Sequence, residues 1–121
     1  MGHRAERLAN QVKDELGMIF LTRYSGSGLG MITITGVKMS ADLRLAKVYF
    51  SVFERSERES VLAKLTADTP GIRHELAGKI RVRYMPELRF YIDDTADRVE
   101  KIENLLKEIH KNDNSASNEL Q

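Results

Sequence analysis

Asp93, Asp94 and Asp97 stand in a D-D-x-x-D spacing, one with which carboxylates can share a magnesium ion. Magnesium takes few protein ligands and completes its shell with water or substrate oxygens, and its carboxylates usually come from more than one element. No second acidic cluster of this kind precedes position 93. The same three residues also fit the start of a helix, where carboxylates cap free amides and meet the positive end of the dipole. Capping is the reading adopted, and the metal-dependent enzyme built on these aspartates is kept as a rival. His3, His74 and His110 fall in three different segments and have no neighbour at metal-ligand spacing. No Ser–His–Asp set follows from their order. The chain has no cysteine, which removes thiol nucleophiles, Cys-zinc sites, disulfides and iron–sulfur clusters together. The expectation is no catalytic residue, no metal and no cofactor.

Two other patterns bear on chemistry. Gly26-Ser27-Gly28-Leu29-Gly30 looks like a phosphate-cradling loop, but that chemistry needs a strand before the loop and a helix after it. Here the order is reversed, so a flexible connector is expected. The richest basic stretch holds Arg73, Lys79, Arg81, Arg83 and Arg89, with Tyr84 and Tyr91 nearby. Guanidinium groups bind phosphate in a bidentate manner, and aromatic rings stack on unpaired bases. The opposing reading is a solvated face whose stems cover the core. Charge distribution points the same way as the stretch: residues 1–92 carry 15 Lys/Arg against 10 Asp/Glu, and 93–121 carry 4 against 8. The body is basic and the end acidic, a mild pointer to a polyanion.

The elements that must position these residues follow from periodicity. Ala5, Leu8, Ala9, Val12, Leu16, Ile19 and Phe20 recur at helical spacing. Ile32 and Ile34 alternate into a strand, and the phase shifts after Gly36 to Val37 and Met39, which suggests a bulge. A turn at Ser40-Ala41-Asp42 leads to a second strand with Ala46, Val48, Phe50 and Val52 on one face and Lys47, Tyr49, Ser51 and Phe53 on the other, an antiparallel hairpin. Ser56 and Glu59 have the spacing of a capping box. Val61, Leu62 and Leu65 stripe a helix, and Thr69-Pro70 starts another carrying Ile72, Leu76 and Ile80, so that two short helices meet at a bend near 68–71. Leu88, Phe90 and Ile92 give a third strand. Asp94 or Thr95 caps a last helix with Val99, Ile102, Leu105, Leu106 and Ile109 on one face. From 112 onward the chain is polar and expected to be disordered. The expected fold is α+β, in the order α-β-β-α-α-β-α, with a three-stranded sheet and helices packed on one face. It forms one domain over 1–111 with a tail over 112–121. The longest run of large apolar residues spans only 18–21, too short for a membrane span, so a cytoplasmic location is expected.

This order resembles a KH-like RNA-binding domain of the second type. The run Val37-Lys38-Met39-Ser40-Ala41-Asp42-Leu43 into Ala46-Lys47-Val48-Tyr49 resembles the V-x-x-S-x-D-L-x-x-A-K-V-Y hairpin of the ribosome-binding factor A family. Ile72-Arg73, then Arg81-Val82-Arg83, then Pro86-Glu87-Leu88-Arg89-Phe90 and Asp93 match that family's later segments in order and spacing, over roughly residues 3–110. The family lacks the GxxG loop of other KH domains, and this chain has none. It departs from the family's Ala-x-Gly at the bend, which falls here at Asp68-Thr69-Pro70 with the glycine one place later at Gly71, and from the family's Asp-Pro-Arg before the first strand. The resemblance implies a non-enzymatic factor that binds immature small ribosomal subunits, helps the 5′ end of their RNA mature, leaves before translation and supports growth in the cold. It implies a monomer with no small-molecule substrate and no membrane partner. A general KH-like RNA-binding protein outside ribosome assembly is the alternative. The residues expected to touch RNA are Arg73, Lys79, Arg81 and Arg83, with Arg44, Lys47 and the bend at Gly71.

Overall fold

A computed structural model describes residues 3–26 and 31–120, with 112–120 by backbone alone. The first helix, α1, spans His3–Tyr24 and buries Leu8, Ala9, Val12, Leu16, Ile19, Phe20 and Tyr24 along one stripe. It stops at a turn where Gly26 takes a positive φ of 73°, a conformation that costs glycine nothing. Gly28 and Gly30 of the glycine-rich segment lie outside the described residues. That segment does link a helix to a strand, as expected.

Strands β1 (Ile32–Met39) and β2 (Leu45–Val52) form the predicted antiparallel hairpin. Their register slips between Ile34 and Gly36, so Thr35 is the extra residue of a bulge and Val37 and Met39 return to the core side. The turn is held by side chains. Ser40 Oγ donates to Asp42 Oδ1 (2.6 Å) and accepts from the Leu45 amide (3.0 Å), and Asp42 Oδ1 also accepts from the Arg44 amide at 3.1 Å. These bonds hold the Asp42 carboxyl below the usual carboxylate range, the Ser40 hydroxyl contributing most. Leu43 sits at φ 61°, a left-handed conformation rare for a branched residue, with its side chain packed against the core.

After a 3-10 turn at Arg55–Glu57, helix α2 runs without interruption over Arg58–Ala77. This corrects two expectations. Ser56 and Glu59 make no capping box: the N-cap is Glu57, without a side-chain cap bond, and Ser60 Oγ donates to the Glu57 carbonyl at 3.0 Å. The two short helices expected to meet at 68–71 are likewise one helix, with Pro70 inside it. An internal proline costs about 3 kcal/mol or more. Val61, Leu65, Ile72 and Leu76 on either side of it are fully buried, each worth roughly 1.5–3 kcal/mol, so packing carries the helix through. Thr66, whose carbonyl would have met the missing amide hydrogen, is exposed to solvent. Thr69 is no cap; its hydroxyl donates to the Leu65 carbonyl at 2.8 Å.

Helix α2 is a crossover, and β3 (Glu87–Ile92) returns parallel to β2. The sheet order is β1-β2-β3. The fold is α+β, as expected, with α1 and α2 packed on one face of a mixed sheet. The core joins Val12, Leu16 and Ile19 of α1 to Val48 and Phe50 of β2, Leu65, Ile72 and Leu76 of α2, and Leu88 and Phe90 of β3. The last helix, α3 (Thr95–Leu120), does not join that layer. Val99, Ile102, Leu105, Leu106 and Ile109 stay about half exposed, at 49% to 56%. It is fastened near its start, where Asp97 pairs with Arg58 and Arg55 and Glu100 pairs with Arg55. The tail expected at 112–121 falls where side chains lie outside the described residues, and Gln121 lies outside altogether.

Candidate nucleic-acid interface

Several of the chain's cations gather at one end of the sheet. Arg73, in the last turns of α2, donates from Nε to the Pro86 carbonyl (3.1 Å) and from Nη2 to the Met85 carbonyl at 2.8 Å. It thereby ties the segment carrying Lys79, Arg81 and Arg83 to the helix, just before β3 begins. The Glu87 amide then donates to the Arg44 carbonyl at 2.8 Å, which brings the hairpin turn against the same place. One step along β2, Lys47 lies opposite Arg89 of β3. Six of the seven residues singled out in the sequence therefore converge on one end.

Their roles divide. Arg73 is spent mainly on backbone carbonyls, a clamp that shapes the end. Lys79, Arg81, Arg44 and Lys47 are exposed and form no ion pair among the described residues. Arg83 lies 5.5 Å from the ring centroid of Tyr84, which is 73% exposed. Glu75 and Glu87, the carboxylates nearest in sequence to these arginines, are taken by other cations, Arg23 and Arg89. Lys38, opposite Lys47 on β1, is a further cation that the sequence did not single out. The bulge at Gly36 was the signal that placed it on the outer face.

Gly71, two residues before Arg73 on α2, lies against Arg23 of α1. A Cβ at Gly71 would come within 2.6 Å of Arg23 Nη2, so the missing side chain leaves room for the Arg23–Glu75 pair between α1 and α2. Asp68 accepts from the Tyr24 hydroxyl at 2.8 Å and pairs with Lys64 at 3.4 Å. Burial above all, and then Asp68, pushes the Tyr24 phenol well above its ordinary value. Beside these residues a shallow groove runs between Thr66, Thr69 and Pro70 of α2 and Leu88 to Tyr91 of β3. Strand β3 is an edge strand, and such an edge offers unpaired backbone groups.

The aspartates at the opposite end are engaged otherwise. Thr35 Oγ1 donates to Asp93 Oδ2 at 2.5 Å, and the Thr95 amide donates to Asp93 Oδ1 at 2.9 Å. Asp93, rather than Asp94 or Thr95, thus takes the first free amide of α3. Its carboxyl is held below the usual range by the Thr35 hydroxyl first and Thr95 next. Asp97 is held low by Arg58, and Asp94 pairs with Arg98 at 3.0 Å. Among the described residues no three His, Cys, Asp or Glu side chains come together as a metal site.

Compared with known proteins, residues 4–106 match the profile of "Ribosome-binding factor A". The chain belongs to the ribosome-binding factor A family. A member from Desulfatibacillum aliphaticivorans is 40% identical over 107 residues, covering 88% of this chain and 87% of that one. Another, from Thermodesulfovibrio yellowstonii, is 39% identical over 108 residues, covering 89% and 92%. Among solved structures, ribosome-binding factor A from Thermus thermophilus superposes with a TM-score of 0.66 at 25% identity, covering 73% of this chain and 94% of that one. A putative ribosome binding factor A from Thermotoga maritima gives 0.61 at 26% identity, covering 75% and 88%. The fold is thus the KH-like one of this family. A Thermus thermophilus family member fitted into a cryo-EM map of a 30S complex shares that fold, with a TM-score of 0.60 over 78% of this chain and 97% of that one at 22% identity.

Proposed function

We propose that this chain is a non-enzymatic assembly factor that binds immature small ribosomal subunits through their RNA and helps the 5′ end of that RNA mature. The observation that carries the reading is the convergence of Lys79, Arg81, Arg83, Arg44 and Lys47 on one end of the sheet, without carboxylate partners among the described residues. Exposed cations without counter-charges suit a polyanion. Family membership supports the ribosomal setting, and the fitted 30S complex of a relative supports the small subunit as partner. No bond is made or broken by the factor. Its basic end favours one RNA arrangement over another, and the shift it produces is limited by its differential affinity for the two. It works as a monomer in the cytoplasm, leaves before translation and matters most in the cold. No helix among the described residues is long and apolar enough to cross a membrane.

The test is fractionation of ribosomal particles, followed by binding to isolated immature subunits at several salt concentrations. The protein should travel with small-subunit precursors. Arg81→Ala with Arg83→Ala should flatten the slope of log K against log salt by roughly one to two units, at about 0.7 to 0.9 for each phosphate no longer neutralised. Travel with other RNA particles would favour a general KH-like RNA-binding protein instead. Parallel slopes with equal affinity would remove the two arginines from the contact.

A further inference from the structure

The outer face of the sheet is organised in rows that the register makes explicit. Lys38, Lys47 and Arg89 lie side by side across all three strands. Like charges directly opposite one another destabilise a sheet, and here three stand in line. Glu87 bridges Arg89 at 3.3 Å; Lys38 and Lys47 have no carboxylate partner among the described residues. The next row holds Gly36, Tyr49 and Tyr91. The two tyrosine rings lie 5.6 Å apart at 29°, and Lys38 Nζ sits 5.9 Å from the Tyr49 ring centroid. Tyr91 is more than a third exposed. Beyond the tyrosines comes Asp93, bonded to Thr35. Among the described residues no helix covers this face, since α1 and α2 pack on the other side and α3 stays off the sheet.

We propose that this open face is a second contact surface for single-stranded RNA, with phosphates along the Lys38–Lys47–Arg89 row and a base against the Tyr49–Tyr91 pair. A row of cations one strand apart matches a charged backbone laid across the strands, and aromatic rings beside it accept bases of any sequence. Asp93 at the far side repels phosphate and so orients the strand, backbone toward the hairpin end and bases toward the tyrosines. The cross-strand repulsion that folding tolerates is relieved when the polyanion binds. This rests on the reading of the chain as a binder of small-subunit RNA, and it adds a face distinct from the loop that carries Lys79, Arg81 and Arg83.

The experiment compares the full chain with two double variants, Lys38→Gln with Arg89→Gln, and Arg81→Ala with Arg83→Ala. The probe is a labelled oligouridylate of about 12 nucleotides, within the range such surfaces span, titrated at several salt concentrations. The sheet variant should bind several-fold more weakly, with a slope flatter by about 1.4 if both cations touch phosphate. Its melting temperature at low salt should stay close to that of the parent, because the repulsion removed offsets the exposed Arg89–Glu87 pair and the Lys38–Tyr49 contact that are lost. The probe should quench tyrosine emission, the chain having no tryptophan, and Tyr91→Leu should lose part of that quenching. Unchanged affinity and slope in the sheet variant overturns the inference. So does a sheet variant that binds the probe normally yet loses immature subunits, since the face would then hold a ribosomal protein. If only the sheet variant is weakened, the loop arginines fall and this face stands; if only the loop variant is weakened, the reverse holds.

Discussion

Asp93 closes β3, reaches across the sheet to Thr35 and takes the Thr95 amide at the start of α3. One carboxylate thus joins the bulge of β1 to the root of the last helix. Its pKa is depressed in the folded chain, so its contribution to stability is full above the ordinary aspartate value of about 3.9 and is lost as pH falls through the lower, folded value. Asp93→Asn keeps the size and an acceptor oxygen but removes the charge. The parent should therefore be more stable than the variant near neutral pH, and the gap should close in acid; denaturation at a series of pH values reads it, and a gap independent of pH would contradict the assignment. That these aspartates serve a helix start is legible from their place before an apolar periodic run. Which of them does so is not, because the choice depends on Thr35, 58 positions away. Arg73 and Gly71 show the same limit. Both stand in the stretch that the sequence marks as basic and bent, yet one clamps two carbonyls and the other makes room for Arg23. We expect Gly71→Ala to displace Arg23 and break its pair with Glu75, visible as faster exchange of the Arg23 guanidinium protons, while leaving oligouridylate affinity unchanged.

Among the elements, the hairpin, its bulge and its turn can be read because alternation is local and a one-residue slip changes which side chains are apolar. Gly36 announces the bulge, but the position does not need glycine: its φ is not left-handed, and an added Cβ would meet nothing within 4 Å. Gly36→Ala should shift stability by no more than about 0.5 kcal/mol, the usual range at surface positions, as urea unfolding can measure. Helix α2 reads as two helices because Thr69-Pro70 has every local mark of a helix start. Those marks yield to the burial of Leu65, Ile72 and Leu76 on both sides of the proline, a tertiary effect that no window of sequence contains. Helix α3 is the opposite case. Its apolar stripe is plain, but periodicity states only that a face exists, and here that face meets no layer of the fold. We propose that the domain ends at 111, with 112–121 a dispensable polar tail. Removing those residues should leave the melting temperature within about 2 °C, less than the shift that a 1 kcal/mol loss produces in a domain of this size.

As a whole, the molecule is bipolar. The hairpin turn, the loop with Arg81 and Arg83, and the start of β3 form a basic end; at the opposite end Asp94, Asp97 and Glu100 are paired with Arg98, Arg58 and Arg55, and the carboxylates without a cation partner among the described residues include Glu103 and Glu108 farther along α3. A strand of six residues separates the two ends, about 17 Å at the usual rise. That exceeds the Debye length of about 8 Å at physiological salt and falls well inside the roughly 30 Å of 0.01 M salt. The acidic end should therefore slow the approach of RNA at low salt and leave the bound state untouched. Glu103 and Glu108 are exposed on α3 and have no partner among the described residues, so they can be neutralised without breaking an ion pair. Glu103→Gln with Glu108→Gln raises the net charge from +1 by two. Stopped-flow association with oligouridylate should then run about two- to threefold faster at about 10 mM salt, with the advantage gone near 150 mM, as expected for steering by screened charge. The dissociation rate should not change, whereas loss of Arg81 and Arg83 should raise it, because those side chains are assigned to the contact itself. A slower dissociation in the glutamate variant at about 150 mM salt, where screening removes steering, would mean that α3 lies against the bound RNA, and the acidic end would have to be counted as part of the interface.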